Sequence, residues 1–353
     1  MLDSFDGLLR WPELNDWIAL ADLPGAGPVT AVEQIAGGSQ NNVFLLRREG
    51  AELVLRRPPR HIRKGSNETM VREARLLRAL AGSSVPHAIL YDACEDLTVI
   101  GAAFYVMARL DGFSPRGELP GRYGTDAAWR HAMGRAYVEA GTALGAIDYQ
   151  AVGLGDYGNW ENWHSRQVDR WHSQLEGYRE LDGYQGGQLP GVDVIGRWLT
   201  DNLPADRRIG VIHGDFQFPN VMYSHNEPKI VGLIDWELST LGDPLLDLGW
   251  MLTSWCEPGD PEGKSPVVSP WSGFMTRREL VEFYGSVSGR DMTQMPWFFC
   301  LACYKLACIL EGTYARSLAG QAPVETGRSL HAYALWLMDK ARQIMAGNGM
   351  AGD

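Results

Sequence analysis

The sequence lacks an excess of positive charge. Its 353 residues include 32 lysines and arginines against 43 aspartates and glutamates, a formal net charge of −11 at pH 7. Because nucleic-acid-binding domains usually carry a basic face, this balance argues against nucleic acid as a partner. A composition that is 45% hydrophobic and 21% charged is typical of a soluble globular protein. The length predicts two domains or one large unit with two lobes.

The sequence also lacks the patterns of a leader, a membrane span and a disulfide framework. The N-terminal stretch has no basic segment before an apolar run. No run elsewhere reaches the roughly 18 apolar residues of a membrane helix. Three of the five cysteines lie at helical spacing in the apolar run FFCLACYKLACIL, where buried reduced thiols are expected instead of a metal site. We therefore expect a cytoplasmic protein without membrane attachment.

The organisation of the chain changes near residue 110. Before it, five strand-like runs surround one helix, which is predicted to begin at Ser66 or Asn67 and to stop at Gly82. After it, helical periodicity dominates and only two short strands, NVMYS and KIVGLID, intervene. We expect an α+β fold with a cleft between two lobes, a small N-terminal lobe over residues 1–108 with an N-terminal helix and a mainly helical lobe over residues 109–353. The predicted helices of the second lobe cover residues 125–147, 161–182, 192–202, 276–289, 295–319 and 325–346.

A segment of small residues, AGGSQNN, separates the first two strand-like runs and contains Gly38, Ser39 and Asn41. Glycine and asparagine are the residues that tight turns require. Small residues would also let backbone amides approach phosphate oxygens. The segment matches neither G-x-G-x-x-G nor a Walker A loop, so by itself it indicates a turn.

A second signal connects a strand with the helix that follows it. Arg56 ends the run LVLRR, and Glu73 shares an apolar helical stripe with Met70 and Leu77. Burying an unpaired carboxylate costs on the order of several kcal/mol. Glu73 could lie at the edge of the stripe and reach water. Alternatively it pairs with Arg56 and holds that cation towards nucleotide phosphates, as the strand lysine and helix glutamate of kinases do.

The stretch VIHGDFQFPNVMY places His213, Asp215 and Asn220 in a loop that returns from a buried strand, and KIVGLIDWE ends another apolar run at Asp235. Each residue alone could belong to an ordinary turn. Together they match Mg-nucleotide chemistry, in which one carboxylate orients or deprotonates the attacking hydroxyl and a carboxamide and a second carboxylate bind Mg²⁺. The combination H-x-D-x(4)-N with a strand-terminal aspartate predicts a nucleotide-dependent phosphotransferase.

With these motifs the sequence resembles the aminoglycoside phosphotransferase and choline kinase family, which has a protein-kinase-like bilobal fold with a small antiparallel sheet lobe. The similarity extends from AGGSQNNVF and VLRRPP through REARLLRAL, FYVMARLDG and HGDFQFPNVMY to IDWELSTLGDPLLDLGW and FFCLACYKLACILEGTYAR. Within that family the sequence is most similar to the branch of kinase domains that are fused to acyl-CoA dehydrogenases.

The resemblance implies a role for each motif residue. Asp215 would be the catalytic base, and Asn220 and Asp235 would be the magnesium ligands. His213 would support the catalytic loop by hydrogen bonding, together with Gln217. Backbone groups of the segment FYVMARLDG would bind the base of ATP, or of GTP. The residues implied in nucleotide binding are Gly38, Ser39, Asn41, Arg56, Glu73, Met107 and Arg109.

Departures from the protein kinases indicate a small-molecule substrate. The chain has HGD where protein kinases have HRD, and IDWE is followed directly by LSTLGDP, which leaves no room for a long activation loop. Gln217 stands where protein kinases have a lysine two residues after the base. Arg56 replaces the strand lysine, and a guanidinium is a planar fork and not a point charge. We expect Asp215 to act without a phosphorylation switch.

The residues leave the phosphate acceptor open. Aromatic side chains are dense in GDYGNWENWHSRQVDRWHSQLEGY, although aromatic residues at helical spacing more often belong to the core. Acidic residues could receive an amine and basic residues could receive an anion such as a CoA ester, and either set could equally be surface charge. The acidic set is Glu237, Glu257, Asp260 and Glu311. The basic set is Arg166, Arg170, Lys305 and Arg316.

The expected activity is transfer of the γ-phosphate of ATP, with Mg²⁺, to the hydroxyl of a small molecule. An aminoglycoside, a choline-like alcohol and a hydroxyacyl-CoA are all candidate acceptors. Two other classes of function compete with this one, a nucleotide-binding pseudokinase and a purely structural partner of an acyl-CoA enzyme complex. The intact set of Asp215, Asn220 and Asp235 argues against the pseudokinase. The oligomeric state is not predicted.

Overall fold

The computed structural model describes residues 5–37, 41–62, 64–257, 260 and 268–347, so the predicted loop residues Gly38 and Ser39 lie outside the described part. The chain divides into two compact units. Unit 1 comprises Met1–Gly112, Tyr149–Tyr157 and Val231–Ser239. Unit 2 comprises Phe113–Asp148, Gly158–Ile230 and Thr240–Asp353.

Unit 1 is built on a five-stranded antiparallel sheet in the order β1-β2-β3-β5-β4. The strands are β1 (Ala26–Gly37), β2 (Asn42–Glu49), β3 (Ala51–Arg57), β4 (Leu90–Cys94) and β5 (Phe104–Ala108). All five strand-like runs of the sequence therefore form strands. The central strand β3 carries the continuous apolar run Leu53–Leu55, because both of its faces are covered and no alternation with polar residues is needed.

The two faces of this sheet bury different partners. Phe44, Leu53 and Leu55 join one apolar cluster with α1 (Asp6–Leu9), α2 (Trp11–Leu20) and α4 (Leu97–Ile100). Since side chains alternate along a strand, Val54 and Arg56 point to the opposite face. Helix α3 (Ser66–Leu80) contacts β4 and β5, and its buried stripe includes Met70, Glu73 and Leu77.

Unit 2 is mainly helical. The short strands β7 (Gly210–Ile212) and β10 (Thr240–Gly242) pair antiparallel, with Ile212 opposite Thr240. Strands β6 (Gly117–Glu118) and β11 (Val268–Ser269) pair in parallel, and β8 (Val221–Tyr223) follows the β7 loop along the chain. The next strand, β9 (Ile230–Leu233), begins at the last residue of this segment of unit 2, and its other residues belong to unit 1. The helices are α5 (Gly121–Thr125), α6 (Ala127–Gly145), α7 (Gln167–Gly177), α8 (Val192–Asp201), α9 (Leu245–Ser254), α10 (Arg277–Ser288), α11 (Met295–Leu318) and α12 (Val324–Met345).

Helix α11 forms the centre of unit 2 and packs against α7, α9 and α12. It is long and apolar enough to cross a membrane by composition alone, but 72% of its most apolar stretch is buried inside the protein. The core helix of a globular domain has the same properties. Its three cysteines are buried thiols, as the sequence predicted.

One predicted helix begins later than expected. The periodicity predicted helix over residues 161–182, whereas α7 begins at Gln167 and ends at Gly177. Asn162 has a φ of 50°, in the left-handed region that asparagine tolerates and a helix cannot include. The turns before α7 bury the side chains of Trp163 and His164 and keep Trp160 partly exposed.

Candidate active site

Unit 1 contains a buried ion pair on the α3 side of its sheet. Arg56 Nε lies 3.0 Å from Glu73 Oε2, and the two side chains are 11% and 1% exposed. The Tyr105 hydroxyl donates a hydrogen bond to the same Glu73 oxygen at 2.7 Å. The strand–helix ion pair predicted from the sequence is therefore present. Glu73 does not lie at a solvent-exposed edge of the helix.

The same guanidinium holds a second carboxylate. Arg56 Nη2 donates to Asp235 Oδ1 at 2.9 Å, and the Asp235 side chain is 32% exposed. Asp235 follows β9 with a φ of 68°, a left-handed conformation that is strained for a residue with a Cβ. A planar guanidinium can span two carboxylates in this way, whereas a lysine ammonium is a single point charge.

The burial of this cluster sets its electrostatics. Burial raises the pKa of the Glu73 carboxyl, although Arg56 and the Tyr105 hydroxyl both favour the ionised form. Burial opposes the charge on Arg56, but the carboxylates of Glu73 and Asp235 outweigh it and raise the pKa of the guanidinium. Arg56 is thus a fixed cation whose position depends on two carboxylates.

The other predicted nucleotide-binding residues of unit 1 have individual partners. Asn41 Nδ2 donates to Glu237 Oε2 at 3.3 Å. Met107 lies in β5 opposite Val54 of β3. The half-exposed side chain of Arg109 forms an ion pair with Glu52.

In unit 2, the loop after β7 is fixed by its backbone. The Asp247 carboxylate on α9 accepts hydrogen bonds from the backbone N–H groups of His213 at 2.6 Å and Gly214 at 3.0 Å. Gly214 has a φ of 80°, so the turn before Asp215 requires a glycine. The imidazole of His213 is fully buried, with its ring centroid 5.9 Å from that of Phe216. The Asp247 carboxylate therefore fixes the backbone of this loop to α9.

The half-buried carboxylate of Asp215 accepts hydrogen bonds from three side chains. Oδ1 accepts from Trp250 Nε1 at 3.0 Å and from Gln217 Nε2 at 2.9 Å. Oδ2 accepts from Gln217 Nε2 at 2.9 Å and from Asn220 Nδ2 at 2.9 Å. An ionised carboxylate accepts about four such bonds. The set therefore orients the carboxylate and uses both of its oxygens as acceptors.

Asn220 is oriented in a way that suits a hard cation. Its Nδ2 donates both to the carboxylate and to the backbone oxygen of Asp215, which fixes the amide with Oδ1 turned away from these acceptors. In unit 1, Arg56 occupies only one of the two oxygens of Asp235. Amide and carboxylate oxygens suit Mg²⁺, which uses few protein ligands and relies on phosphates and water for the rest. In the described part of the chain, no three His, Cys, Asp or Glu side chains form a complete cation cage.

The sequence did not identify three residues that contact this machinery. Two of them are Tyr105 and Trp250, because a buried aromatic residue gives no distinct signal in a sequence. The third is Lys305, a member of the basic set for which the sequence leaves surface charge open. The structure buries Lys305 to 5% exposure, and its Nζ donates to the Gly214 carbonyl at 2.8 Å. Its signal was present as the single lysine of the apolar run FFCLACYKLACIL.

Two members of the acidic set proposed for an amine acceptor are used within the fold. Glu311 is fully buried, accepts from the Tyr184 hydroxyl at 2.9 Å and pairs with His331. Asp260 forms a buried ion pair with Arg277 at 2.6 Å. Since these carboxylates already have cationic or hydroxyl partners, they offer little to an incoming amine.

Two members of the basic set line a cavity in unit 2. The cavity has a volume of about 460 Å³, and its walls include Trp163, Arg166, Asp169, Arg170 and Thr240. Burial and the neighbouring charge of Arg166 lower the pKa of Arg170. Like charges one helical turn apart repel each other, so an anion between them would be favourable.

Comparisons with known proteins agree with this geometry. The model of the phosphotransferase enzyme family (APH) matches residues 31–270. Acyl-CoA dehydrogenase family member 11 of Gallus gallus is 31% identical over 324 residues, which cover 89% of this chain and 40% of that protein. The chain spans less than half the length of the curated relatives it matches.

Among solved structures, a candidate aminoglycoside phosphotransferase from Ralstonia eutropha has a TM-score of 0.80 and 30% identity, covering 95% of this chain and 98% of that one. The ternary complex of a thermostable mutant of aminoglycoside phosphotransferase APH(4)-Ia with AMP-PNP and hygromycin B has a TM-score of 0.59 and 16% identity, covering 95% and 99% of the two chains, and supports the fold alone. The predicted α+β kinase-like fold is confirmed. The chain belongs to the APH phosphotransferase enzyme family.

Proposed function

We propose that this protein transfers the γ-phosphate of ATP to a hydroxyl group of a small molecule. The observation that carries the proposal is the carboxylate of Asp215, held by Trp250, Gln217 and Asn220 on a loop that Asp247 fixes. The acceptor oxygen forms a bond to the γ-phosphorus while the bond from that phosphorus to the β–γ bridging oxygen breaks. The hydroxyl proton passes to Asp215, and ADP leaves.

The acceptor hydroxyl needs a place among the hydrogen bonds of Asp215. Gln217 Nε2 donates to both carboxylate oxygens, so its displacement frees one position while Trp250 and Asn220 keep the orientation. We therefore assign Gln217 a supporting role that changes on acceptor binding. His213 supports the loop through its backbone N–H and its buried ring.

The remaining roles follow from the donor groups of each cluster. Arg56, fixed by Glu73, supplies a cation for the phosphates, while Asn41 and the loop residues Gly38 and Ser39 would approach them with amide groups. The oxygens of Asn220 and Asp235 would bind magnesium, which neutralises phosphate charge. The strand end from Met107 to Arg109 would bind the base, and GTP is a second candidate donor. We propose a cytoplasmic location for this protein, because the proposed reaction needs ATP and Mg²⁺.

For the acceptor, the cavity favours one class over the others. Arg166 and Arg170 line it with Asp169 as the one acidic wall residue, so positive charge is in excess, which suits an acceptor with a phosphate or carboxylate group, such as a hydroxyacyl-CoA ester. An aminoglycoside or a choline-like alcohol carries positive charge and would be repelled by the same arginines. We propose the anionic alcohol as the first class to test.

The test is a phosphorylation screen with Mg-ATP, measured as acceptor-dependent ADP release and confirmed by mass spectrometry of the product. The panel contains aminoglycosides, choline-like amines, sugars and hydroxyacyl-CoA esters. We expect a thermal shift with Mg-ATP and a product that is heavier by one phosphoryl group, first among the hydroxyacyl-CoA esters. A thermal shift without product in any class would support a pseudokinase. Absence of both would support a structural protein and overturn the proposal.

A further inference from the structure

Lys305 is a buried cation in the centre of unit 2 that no step of the proposed reaction uses. It projects from α11, and its residue is 5% exposed. Nζ lies 2.8 Å from the carbonyl oxygen of Gly214, the residue before Asp215. Nζ also lies 4.1 Å from the ring centroid of Trp250 and 5.3 Å from that of Trp171. The ammonium group therefore contacts one carbonyl oxygen and two indole rings.

These contacts reach Asp215 by two routes. Through the backbone, Lys305 holds the carbonyl of Gly214 while Asp247 holds its N–H, so the peptide groups on both sides of that glycine are fixed. Through the side chains, the ammonium lies against the ring of Trp250, whose Nε1 donates to Asp215 Oδ1 at 3.0 Å. A displacement of Lys305 would therefore move both the loop and the indole that orients the carboxylate.

We propose that Lys305 is a positioning residue for phosphoryl transfer, which aims the carboxylate of Asp215 by holding the Gly214 carbonyl and the Trp250 indole in place. The inference rests on the proposed function, because it assigns Lys305 to the base of that reaction. Lys305 does not itself need to touch the phosphates.

Fold stability gives little reason for an ammonium group at this position. A buried charge is costly, and replacing it by an apolar side chain of similar volume is often neutral or stabilising. The charged groups around Lys305 are Asp247 on α9, Asp215 on the loop and Arg170 on α7. Burial lowers the pKa of Lys305 to about 8, with the two aspartates opposing this shift and Arg170 adding to it.

The primary test is Lys305→Met, which keeps an unbranched side chain as far as Cε and removes the amino group, and with it the charge and the donor. We expect kcat for ADP release to fall by about 10²-fold, the size of effect that a misplacement of about 1 Å has on a reacting group, with KM for Mg-ATP changed less than about threefold. The matched control is Lys340→Met. Lys340 is another buried lysine of unit 2, on α12, with a pKa that burial lowers. Its kcat should equal that of the wild type.

A double-mutant cycle separates positioning from general stability. Trp250→Phe keeps a ring against the ammonium and removes only the donor to Asp215. If Lys305 acts through Trp250, the loss in kcat for Lys305→Met combined with Trp250→Phe is smaller than the product of the single losses. A loss in the double variant that equals the product of the single losses would overturn the proposal. So would a kcat for Lys305→Met within twofold of the wild type.

The pH dependence gives an independent readout. Lys305 is protonated below its pKa of about 8 and neutral above it. The ratio of wild-type kcat to Lys305→Met kcat should therefore be largest at pH 7 and fall as the pH rises to 9. A ratio that stays constant over this range contradicts the assignment. Failure of the proposed function would look different, since the wild type itself would then release no acceptor-dependent ADP.

Discussion

The substitution Glu73→Gln removes the charge of a fully buried carboxylate while keeping its shape. Glu73 is 1% exposed and contacts Arg56 at 3.0 Å and the Tyr105 hydroxyl at 2.7 Å. Removing one partner of a buried ion pair costs about 3–5 kcal/mol. Asp235 remains 2.9 Å from the guanidinium, and glutamine retains one acceptor oxygen. We therefore expect a loss at or just below the lower limit of that range, about 2–3 kcal/mol in the free energy of unfolding.

The assay for Glu73→Gln is urea unfolding followed by circular dichroism, together with KM for Mg-ATP. The control is Glu33→Gln in the same sheet. Glu33 pairs with Arg47 at 3.2 Å, with side chains that are 56% and 41% exposed. An exposed pair of this kind contributes about 0–1 kcal/mol. Equal stability losses in the two variants, or an unchanged KM in Glu73→Gln, would refute the assignment of the buried pair to Arg56 positioning.

Three further predictions follow from the same structure. Asp243 is fully buried against Arg290 and His164, and although burial alone would raise its pKa, the hydrogen bonds from His164 and Arg290 and the charge of Arg290 lower the pKa of the carboxyl below 3.8. The stabilisation that the Asp243 carboxylate provides is therefore present above pH 3.8 and is lost as the pH falls through the lower pKa of the folded state. Urea unfolding should show Asp243→Asn less stable than the wild type by about 3 kcal/mol at pH 7, and this difference in stability should narrow towards pH 3. In the Arg56→Lys variant, the lysine ammonium cannot span the carboxylates of Glu73 and Asp235, so KM for Mg-ATP should rise by about tenfold. An unchanged KM would show that the planar guanidinium is dispensable. EDTA should abolish ADP release and excess Mg²⁺ should restore it, whereas turnover in EDTA would exclude the magnesium requirement.

Most of the secondary structure could be predicted from local patterns in the sequence. The strands of unit 1 and helix α3 were predictable because apolar alternation and helical periodicity are properties of neighbouring residues. The start of α7 was predicted too early because periodicity does not register the left-handed backbone of Asn162. Boundaries of this kind depend on single φ angles, which a residue pattern does not determine.

In the candidate site, too, the contacts that local patterns indicate were predictable and those that depend on tertiary packing were not. Asp215, Gln217 and Asn220 lie together because they are close in sequence, and Arg56 and Glu73 were paired because a buried carboxylate needs a cation. Trp250 and Lys305 reach the catalytic loop across 35 and 91 residues of the chain. Their place depends on how α9 and α11 pack in unit 2, and tertiary packing of that kind leaves no spacing rule in the sequence.

The central claim concerns the carboxylate of Asp215, and the most direct measurement compares kcat for ADP release between the wild type and Asp215→Asn. Asparagine keeps the size of the side chain but cannot take the proton of the acceptor hydroxyl. We predict a fall in kcat of about 10²–10⁴-fold, the usual contribution of a general base, with the Mg-ATP thermal shift preserved. An Asp215→Asn variant with wild-type turnover would contradict the account.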